Sequence, residues 1–459
     1  MKFGSSSCTG PQHRRDFLRV GTLALGGLGL SDLLAANAAQ GTLPSDTSVI
    51  LFWMWGGPSQ LETWDMKPDA PAEYRGAFRP ISTTVPGMEI CEIFPQMAKQ
   101  AHRYSLVRSL HHEMSAHNDG SIEILTGKTP TRPDPTSMAH SEHPDFGMIT
   151  SRLRGAGPHG IPAYIGVPTI PFMTRPTYLG LTHGGFPTGN PSVPGFAPPN
   201  LSLGAGLNGV RLDDRRHLVT QLDRQRRDLD LSGSQEGLNR FQQQAFQMLT
   251  SNHVADAFNL EQEDPRLRDR YGRHLWGQSC LLARRLAERG SSVITIDAIN
   301  PGQVEPGRPN FFSWDDHINI ETGWDLNEAM RWRAKFMDGA ISTLIDDIHT
   351  RGLDRKILLV CMGEFGRTPR MVFQNGICGR NHWPQAQSAL VCGGGMRMGQ
   401  VIGATNSKSE YPTERPLTPQ DLMATIYRHL GIDPRQEFLN FSGRPIPLLF
   451  QGQPIRELA

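Results

Sequence analysis

The sequence predicts an α/β fold in which a mostly parallel sheet carries helices on both faces. Short apolar runs at residues 49–54, 292–296 and 356–362 have the length and the β-branched content of buried strands. Longer stretches with leucine or methionine at helical spacing separate these runs. Because parallel strands need a crossover connection, usually a helix, this alternation indicates a parallel sheet covered on both sides.

The first half of the chain supplies strands, a helix and a long loop. The strand at 49–54 is expected to end at a pair of glycines, where the chain must turn. Residues 121–125 are predicted to be helical, and residues 161–167 form a short strand. Residues 173–207 are crowded with glycine, proline and asparagine. We therefore expect a long surface excursion there, of the kind that covers or shapes a site.

The second half is richer in helix. Residues 212–289 are predicted to be a helical insertion, because leucines recur there at helical spacing. Asp325 is placed to cap the helix that follows the strand at 292–296. The apolar run at 389–392 predicts a further strand, and residues 421–430 predict the last helix.

Charge and cysteine content exclude some classes of function. The chain has 46 lysines and arginines against 45 aspartates and glutamates, so its formal net charge is +1. Nucleic acid is therefore not expected as a partner, because phosphate binding needs a basic excess or a basic stripe. One of the six cysteines, Cys8, lies near the N-terminus, and the other five show no CxxC spacing. They predict neither a thiolate metal site nor a disulfide framework.

The N-terminal segment has the features of an export signal. Arg14 and Arg15 form a twin-arginine pattern, an uncharged run follows at 20–30, and small residues suited to a signal peptidase come next. We predict a signal peptide over 1–38 and one large α/β domain over 39–459, located in the periplasm or outside the cell. The alternative is a buried N-terminal helix. No other stretch is apolar enough to predict a membrane span after signal removal.

Polar side chains follow the predicted strands at the points where the strands end. Asp315 and His317 come after the second of the three apolar runs, Glu364 and Arg367 come directly after the third, and His382 follows further on. Ligands gather at the carboxyl ends of parallel strands, and imidazole with carboxylate suits Zn, Mn, Fe or Ca. The sequence therefore predicts a divalent metal site. The alternative is structural: the aspartate caps a turn, and Glu364 forms an ordinary ion pair with Arg367.

A set of motifs spread over the chain resembles a known family. The motifs are RRDFLRVG at 14–21, GGPSQLETWD at 56–65, HNDGSIEILTGKTP at 117–130, WDDH at 314–317, GEFGRTP at 363–369 and GRNHWP at 379–384. Together they resemble the domain-of-unknown-function 1501 family, and they cover nearly the whole mature chain. This resemblance implies a fold similar to the alkaline phosphatase and sulfatase superfamily.

The resemblance also implies roles for particular residues. The Asp-His metal pair of the superfamily is similar to Asp315 and His317, the ligand after its central strand corresponds in place to Glu364, and its late histidine ligand corresponds to His382. Arg367 would be an anion contact that stabilises transferred charge.

Two positions depart from the superfamily pattern. Sulfatases carry their nucleophile ten residues before the glycine of a Leu-Thr-Gly run, and counting back from Gly127 gives His117 rather than serine, threonine or cysteine. The first-strand aspartate is missing, because Gly56 and Gly57 follow that strand. We therefore expect one metal site at most, with His117 as ligand, base or nucleophile.

These observations predict an exported metal-dependent hydrolase that acts on a phosphate or sulfate ester. The substrate would be a small molecule or a polysaccharide, and a metal-activated water would attack it. The alternative is a non-catalytic member of the superfamily that binds a glycan or a partner in the cell envelope.

Overall fold

The computed structural model describes residues 46–198, 251–303, 313–319 and 323–459. The predicted signal peptide lies outside the described residues, and so does the part of the predicted excursion and helical insertion that falls within 199–250. In chain order the strands are β1 (Ser48–Trp53), β2 (Pro80–Ser82), β3 (Glu89–Cys91), β4 (Tyr104–Leu110), β5 (Tyr164–Val167), β6 (Phe186–Pro187), β7 (Val293–Asp297), β8 (Ile357–Met362), β9 (Gly366–Arg367), β10 (Val372–Gln374), β11 (Ile377–Gly379), β12 (His382–Trp383), β13 (Gln387–Gly393), β14 (Val401–Ile402), β15 (Ala404–Thr405), β16 (Pro412–Glu414), β17 (Glu437–Leu439) and β18 (Pro445–Pro447).

The α-helices are α1 (Ala72–Arg75), α2 (Pro95–Ala98), α3 (His117–Thr126), α4 (Phe146–Arg154), α5 (Asn252–Phe258), α6 (Pro265–Tyr271), α7 (Leu275–Glu288), α8 (Leu326–Thr350) and α9 (Pro419–Leu430). Among the described residues, no helix is both long enough and apolar enough to cross a membrane. The Asp325 side chain accepts a hydrogen bond from the Glu328 amide at the start of α8, as the cap prediction requires.

The central sheet has eight strands in the order β14-β4-β13-β8-β1-β7-β5-β6. Strands β8, β1, β7, β5 and β6 run parallel to one another, and β14 runs parallel to β4. Strand β13 is antiparallel to both β4 and β8. The prediction of a mostly parallel α/β sheet is confirmed, and the apolar run predicted at 389–392 is its antiparallel member.

Helices cover both faces of this sheet. On one face Ile50 and Phe52 of β1 belong to the main apolar core, where the Phe52 ring meets Trp276 of α7 edge-on at 5.7 Å. On the other face α9 packs against β1, and Nε2 of His429 lies 3.0 Å from the Ser48 carbonyl oxygen. Burial of apolar side chains on both faces explains why β1 and β8 are continuous apolar runs.

Two glycines after β1 let the chain turn at the carboxyl edge of the sheet. Gly56 has a φ of +109°, and a Cβ there would lie 2.5 Å from the Asp315 amide nitrogen. Gly57 has a φ of +74°, and a Cβ there would collide with the Phe365 ring. A side chain at either position would keep the segments after β7 and β8 from approaching the end of β1.

Candidate metal centre

Four side chains meet at the carboxyl edge of the sheet: His117, Asp315, His317 and His382. One nitrogen or oxygen atom from each lies within 4.8 Å of the corresponding atoms of the other three. The Nε2 atoms of His317 and His382 are 2.8 Å apart. Asp315 places Oδ1 3.0 Å from His317 Nε2 and Oδ2 3.1 Å from His117 Nε2. The cluster therefore joins three separate parts of the chain at one point.

Each segment reaches this point for a local reason. His117 is the first residue of α3, which is buried along its whole length. Asp315 and His317 lie in the loop that crosses the end of β1, where Gly56 leaves room for the backbone. His382 is held by β12, which pairs antiparallel with β9 and sets His382 opposite Arg367.

The outward nitrogen of each imidazole contacts a hydrogen-bond acceptor. His117 Nδ1 lies 2.6 Å from Glu364 Oε1, and His382 Nδ1 lies 2.6 Å from the carbonyl oxygen of Ser115. His317 Nδ1 lies 2.9 Å from Asn381 Oδ1. Because these oxygens accept hydrogen bonds, each Nδ1 carries the proton and donates it. In the neutral rings each Nε2 then carries a lone pair directed into the cluster.

This arrangement fits a divalent cation. The Nε2 atoms of His317 and His382 lie 2.8 Å apart, so either a shared proton or a metal ion must offset the repulsion between their lone pairs. His117 Nε2 is buried and makes no hydrogen bond of acceptable geometry to any described residue, although Asp315 Oδ2 is close. Buried polar atoms normally have partners, so an unpaired nitrogen beside a carboxylate is a suitable position for a metal ligand atom. The cluster could therefore hold a metal ion.

Burial and charge shift the protonation of these groups. Burial raises the pKa of Asp315, but the three imidazoles and the Arg367 guanidinium outweigh it and hold the pKa well below its usual range. Burial lowers the pKa of His117, but the carboxylates of Asp315 and Glu364 outweigh it and raise the pKa to about 9. The Asp315 carboxylate is therefore ionised at neutral pH, which is the state that binds a metal. His117 is protonated on both ring nitrogens at that pH, and a metal ion would have to displace the proton on Nε2.

Glu364, predicted as a ligand, stands behind the cluster. Its carboxylate is fully buried, accepts the Nδ1 proton of His117, and also accepts the Gly56 amide at 2.8 Å. Glu364 lies behind the cluster because it follows the central strand β8 and is positioned beneath the turn after β1. The group of converging side chains that could hold a metal contains His117 in its place.

Arg367, predicted as an anion contact, is turned inward. Its side chain is fully buried, and its NH2 nitrogen lies 2.6 Å from Asp315 Oδ1. The other donors bind carbonyl oxygens, including that of Gly57 at 2.8 Å from Nε. The Arg380 guanidinium is also buried and binds both carboxylate oxygens of Glu62. Both arginines therefore hold the framework of the site and face no open space.

Some groups around the site were not predicted from the sequence. Asn381 lies between Arg380 and His382 in the GRNHWP motif. This position directly before a predicted ligand is the sequence feature that could have drawn attention to it. Ser115 contributes a backbone carbonyl, which any residue type supplies. The His117 ring lies between the Trp55 and Phe365 rings, with both centroids 5.1 Å away. From residue type alone, Trp55 and Phe365 would be assigned to the apolar core, so their place at the site could not be read from the sequence.

The chain is similar to several solved structures, although only weakly. The lipoteichoic acid synthase LtaP from Listeria monocytogenes has a TM-score of 0.37 and 9% identity, over 89% of this chain and 76% of that one. The PsFucS1 sulfatase from Pseudoalteromonas sp. has 0.35 and 12%, over 92% and 72%. The phosphonate monoester hydrolase SpPMH from Silicibacter pomeroyi has 0.35 and 13%, over 90% and 76%. At these scores the similarity carries no argument about chemistry.

Sequence comparison gives a clearer result at the level of the family. No curated protein matches this chain. The family described as "Protein of unknown function (DUF1501)" matches residues 46–459, which include the whole described structure. The resemblance seen in the motifs is therefore confirmed: the chain belongs to the DUF1501 family.

Proposed function

We propose that this protein is an exported metal-dependent hydrolase that acts on a phosphate or sulfate ester. One divalent ion would be held by His117, Asp315, His317 and His382. The observation that carries the proposal is the inward direction of three imidazole Nε2 atoms, each fixed from behind by an acceptor on Nδ1. Outer contacts of this kind orient imidazole ligands and raise their basicity.

The donor set narrows the identity of the metal. Three imidazole nitrogens and one carboxylate oxygen suit Zn²⁺, Fe²⁺ or Mn²⁺, whereas Ca²⁺ takes six to eight oxygen ligands. We therefore propose a first-row transition metal or zinc and set calcium aside.

Several residues of this chain would position the reacting groups. A divalent ion in the cluster would polarise the ester and lower the pKa of a water molecule. His317 has the most exposed side chain of the four, 36%, against 10% for His117, so the substrate would approach from the His317 side. Arg367 would fix Asp315 through its contact with Oδ1, which is a positioning role.

A non-catalytic binding protein is the second candidate, and one observation favours it. The position that corresponds to the sulfatase nucleophile holds His117, whose ring belongs to the cluster. Neither Arg367 nor Arg380 is free to bind the ester anion. A site of this kind would bind a ligand through the metal without turning it over.

Turnover of simple esters distinguishes the two candidates. The mature chain is stripped with a chelator, reloaded with Zn²⁺, Mn²⁺ or Fe²⁺, and assayed with 4-nitrophenyl phosphate and 4-nitrophenyl sulfate. The proposal predicts hydrolysis that depends on the added metal, is lost in His317→Ala and is unchanged in His349→Ala, a histidine at the far end of α8. A fully metal-loaded protein that hydrolyses neither ester would instead support the binding protein.

A further inference from the structure

The fixed charges at the candidate metal centre limit the charge of the anion that can bind there. Asp315 belongs to the cluster, and the Glu364 carboxylate contacts the His117 ring from behind. Both oxygens of Glu364 lie within hydrogen-bond distance of the Gly56 amide nitrogen, and Glu364 forms no ion pair with a described lysine or arginine. Arg367 supplies one positive charge through its contact with Asp315. With both carboxylates ionised, these side chains contribute two negative charges and one positive charge.

The neighbouring buried charges do not alter this balance, because they form closed pairs. Asp316 pairs with Arg333, and Glu62 pairs with Arg380. Each pair combines one negative and one positive charge at hydrogen-bond distance, so it acts on the metal centre as a neutral group. Among the described residues, no lysine or arginine other than Arg367 contacts the four side chains of the cluster. One negative charge at the centre is therefore left without a counter-charge.

A divalent ion would reverse the sign of this charge and leave the loaded centre with one positive charge. A singly charged anion would neutralise it, whereas a doubly charged anion would leave a negative charge beside the carboxylates of Asp315 and Glu364. Such an excess is costly at this place, because Glu364 is fully buried and charges interact more strongly in a partly buried site than in water.

We propose that the loaded centre selects esters that carry a single negative charge, and that the Glu364 carboxylate sets this preference. The substrate is then a sulfate monoester or a phosphate diester, which share that charge and a tetrahedral arrangement of oxygens. A phosphate monoester carries close to two negative charges at neutral pH and is disfavoured. The inference rests on the proposed function, because the anion has to bind at the metal ion.

Two anions of nearly the same shape test this selection without relying on turnover. Benzenesulfonate carries one negative charge, phenylphosphonate carries two above its second pKa, and neither contains an ester bond. Their affinities for the metal-loaded full chain are measured by calorimetry at such a pH, beside a small tris-imidazole complex of the same metal that has no carboxylate. We expect the ratio of benzenesulfonate affinity to phenylphosphonate affinity to be roughly tenfold higher for the protein than for the complex.

Three variants locate the effect, and the metal content of each is measured first. Glu364→Gln removes the charge but keeps an oxygen that can accept the Nδ1 proton of His117. It should retain the metal and strengthen phenylphosphonate binding roughly tenfold relative to benzenesulfonate. Glu437→Gln removes an exposed carboxylate in the hairpin of β17 and β18, and it should leave the ratio unchanged. Arg175→Gln removes an exposed arginine of the loop after β5, and it should also leave the ratio unchanged.

Each outcome bears on one idea. The selection is wrong if the protein and the small complex give the same ratio, a comparison that needs no variant, or if Glu364→Gln retains the metal but behaves like Glu437→Gln. It is also wrong if Arg175→Gln weakens phenylphosphonate binding selectively, because an arginine would then offset the second charge.

Hydrolysis separates the selection from the proposed function. A preference for benzenesulfonate without hydrolysis of any ester supports the selection and contradicts the hydrolase. Hydrolysis of 4-nitrophenyl phosphate in preference to both 4-nitrophenyl sulfate and bis(4-nitrophenyl) phosphate supports the hydrolase and contradicts the selection. Preferred hydrolysis of either singly charged ester supports both ideas and shows which of the two ester classes is the substrate.

Discussion

Asp315 and Asp316 are neighbours in sequence but belong to two different kinds of buried charge. Asp316 forms a closed ion pair: Arg333 NH2 lies 2.7 Å from Oδ1 and 2.5 Å from Oδ2, and Trp324 Nε1 donates to Oδ1 at 3.1 Å. Asp315 instead faces the Nε2 atoms of His117, His317 and His382, at 3.1, 3.0 and 3.4 Å from its carboxylate oxygens. One carboxylate is paired with a single arginine, and the other belongs to a cluster that could hold a metal ion.

The difference shows how structural charges can be separated from functional ones. The Glu62–Arg380 pair is closed in the same way as Asp316–Arg333, with two contacts of 2.7 and 2.9 Å between the charged groups. In a closed pair the two charges neutralise each other, so no unpaired charge remains to bind a ligand. The candidate metal centre keeps its Nε2 atoms directed inward while every Nδ1 contacts an acceptor outside the cluster, an arrangement that suits metal ligands.

The largest expected effect comes from opening a closed pair. Asp316→Asn removes the charge that balances Arg333 while keeping the shape of the side chain. Because the Arg333 guanidinium is fully buried, we expect a loss of about 3–5 kcal/mol in the free energy of unfolding, measured with urea in the presence of a chelator.

The matched variant in the metal centre is His382→Ala. It removes a ligand but strands no buried charge, so the metal-free protein should lose only about 1 kcal/mol or less. Equal losses from the two substitutions would mean that the cluster is also part of the structural framework, and the distinction would fail.

A smaller effect is expected from removing an outer contact of one ligand. Asn381→Ala deletes the oxygen that fixes Nδ1 of His317, so the ring loses its orientation and part of its basicity. We expect metal affinity to fall about 10- to 100-fold, measured by competition with a chelator of known affinity. The control is Asn440→Ala in the hairpin between β17 and β18, which should leave the affinity unchanged. Unchanged affinity in Asn381→Ala would show that this contact does not orient a ligand.

An effect of comparable size is expected at a third kind of buried charge, one that is paired only with backbone carbonyl groups. Lys128 Nζ binds the carbonyl oxygens of Pro447 and Leu448, and burial lowers its pKa from 10.5 to about 8. Between those two values the unfolded chain holds a proton that the folded chain has lost, so stability rises with pH across that window.

The measurement is urea unfolding at pH 7.5 and 9.5. The unmodified protein should gain about 2 kcal/mol between the two pH values relative to Lys128→Met, in which the titrating group is absent. Lys99→Met, which removes an exposed lysine, should behave like the unmodified protein. If the difference in unfolding free energy between the unmodified protein and Lys128→Met is the same at both pH values, the lowered pKa of Lys128 is contradicted.

Sequence patterns predicted most of the fold because strands and helices leave periodic signals. The runs that became β1, β7 and β8 are largely apolar, since both faces of each strand are buried over most of its length. Strand β4 was missed, because Tyr104, Ser105 and Arg108 interrupt its apolar pattern. The antiparallel direction of β13 was also beyond prediction, because strand direction depends on the path of the chain between strands.

The candidate site was predicted less completely than the fold. The strand-end argument drew attention to Asp315, His317 and His382, which the structure brings together with His117. Residue type does not determine the direction in which a side chain points. Glu364 and Arg367 were therefore expected in the cluster, although their side chains lie behind it. Interatomic distances and hydrogen-bond partners determine which side chains enter the cluster, and both are known only from the three-dimensional structure.

The most direct test of the central claim is the metal content of the mature chain. The protein is purified from an export-competent host without a histidine tag, beside the His317→Ala/His382→Ala double variant and His349→Ala, and each is analysed for Zn, Mn, Fe and Ca. We predict about one transition-metal or zinc ion per chain in the unmodified protein and in His349→Ala, and none in the double variant. A folded, unmodified protein that contains no metal and takes up none when Zn²⁺, Mn²⁺ or Fe²⁺ is added would contradict the account.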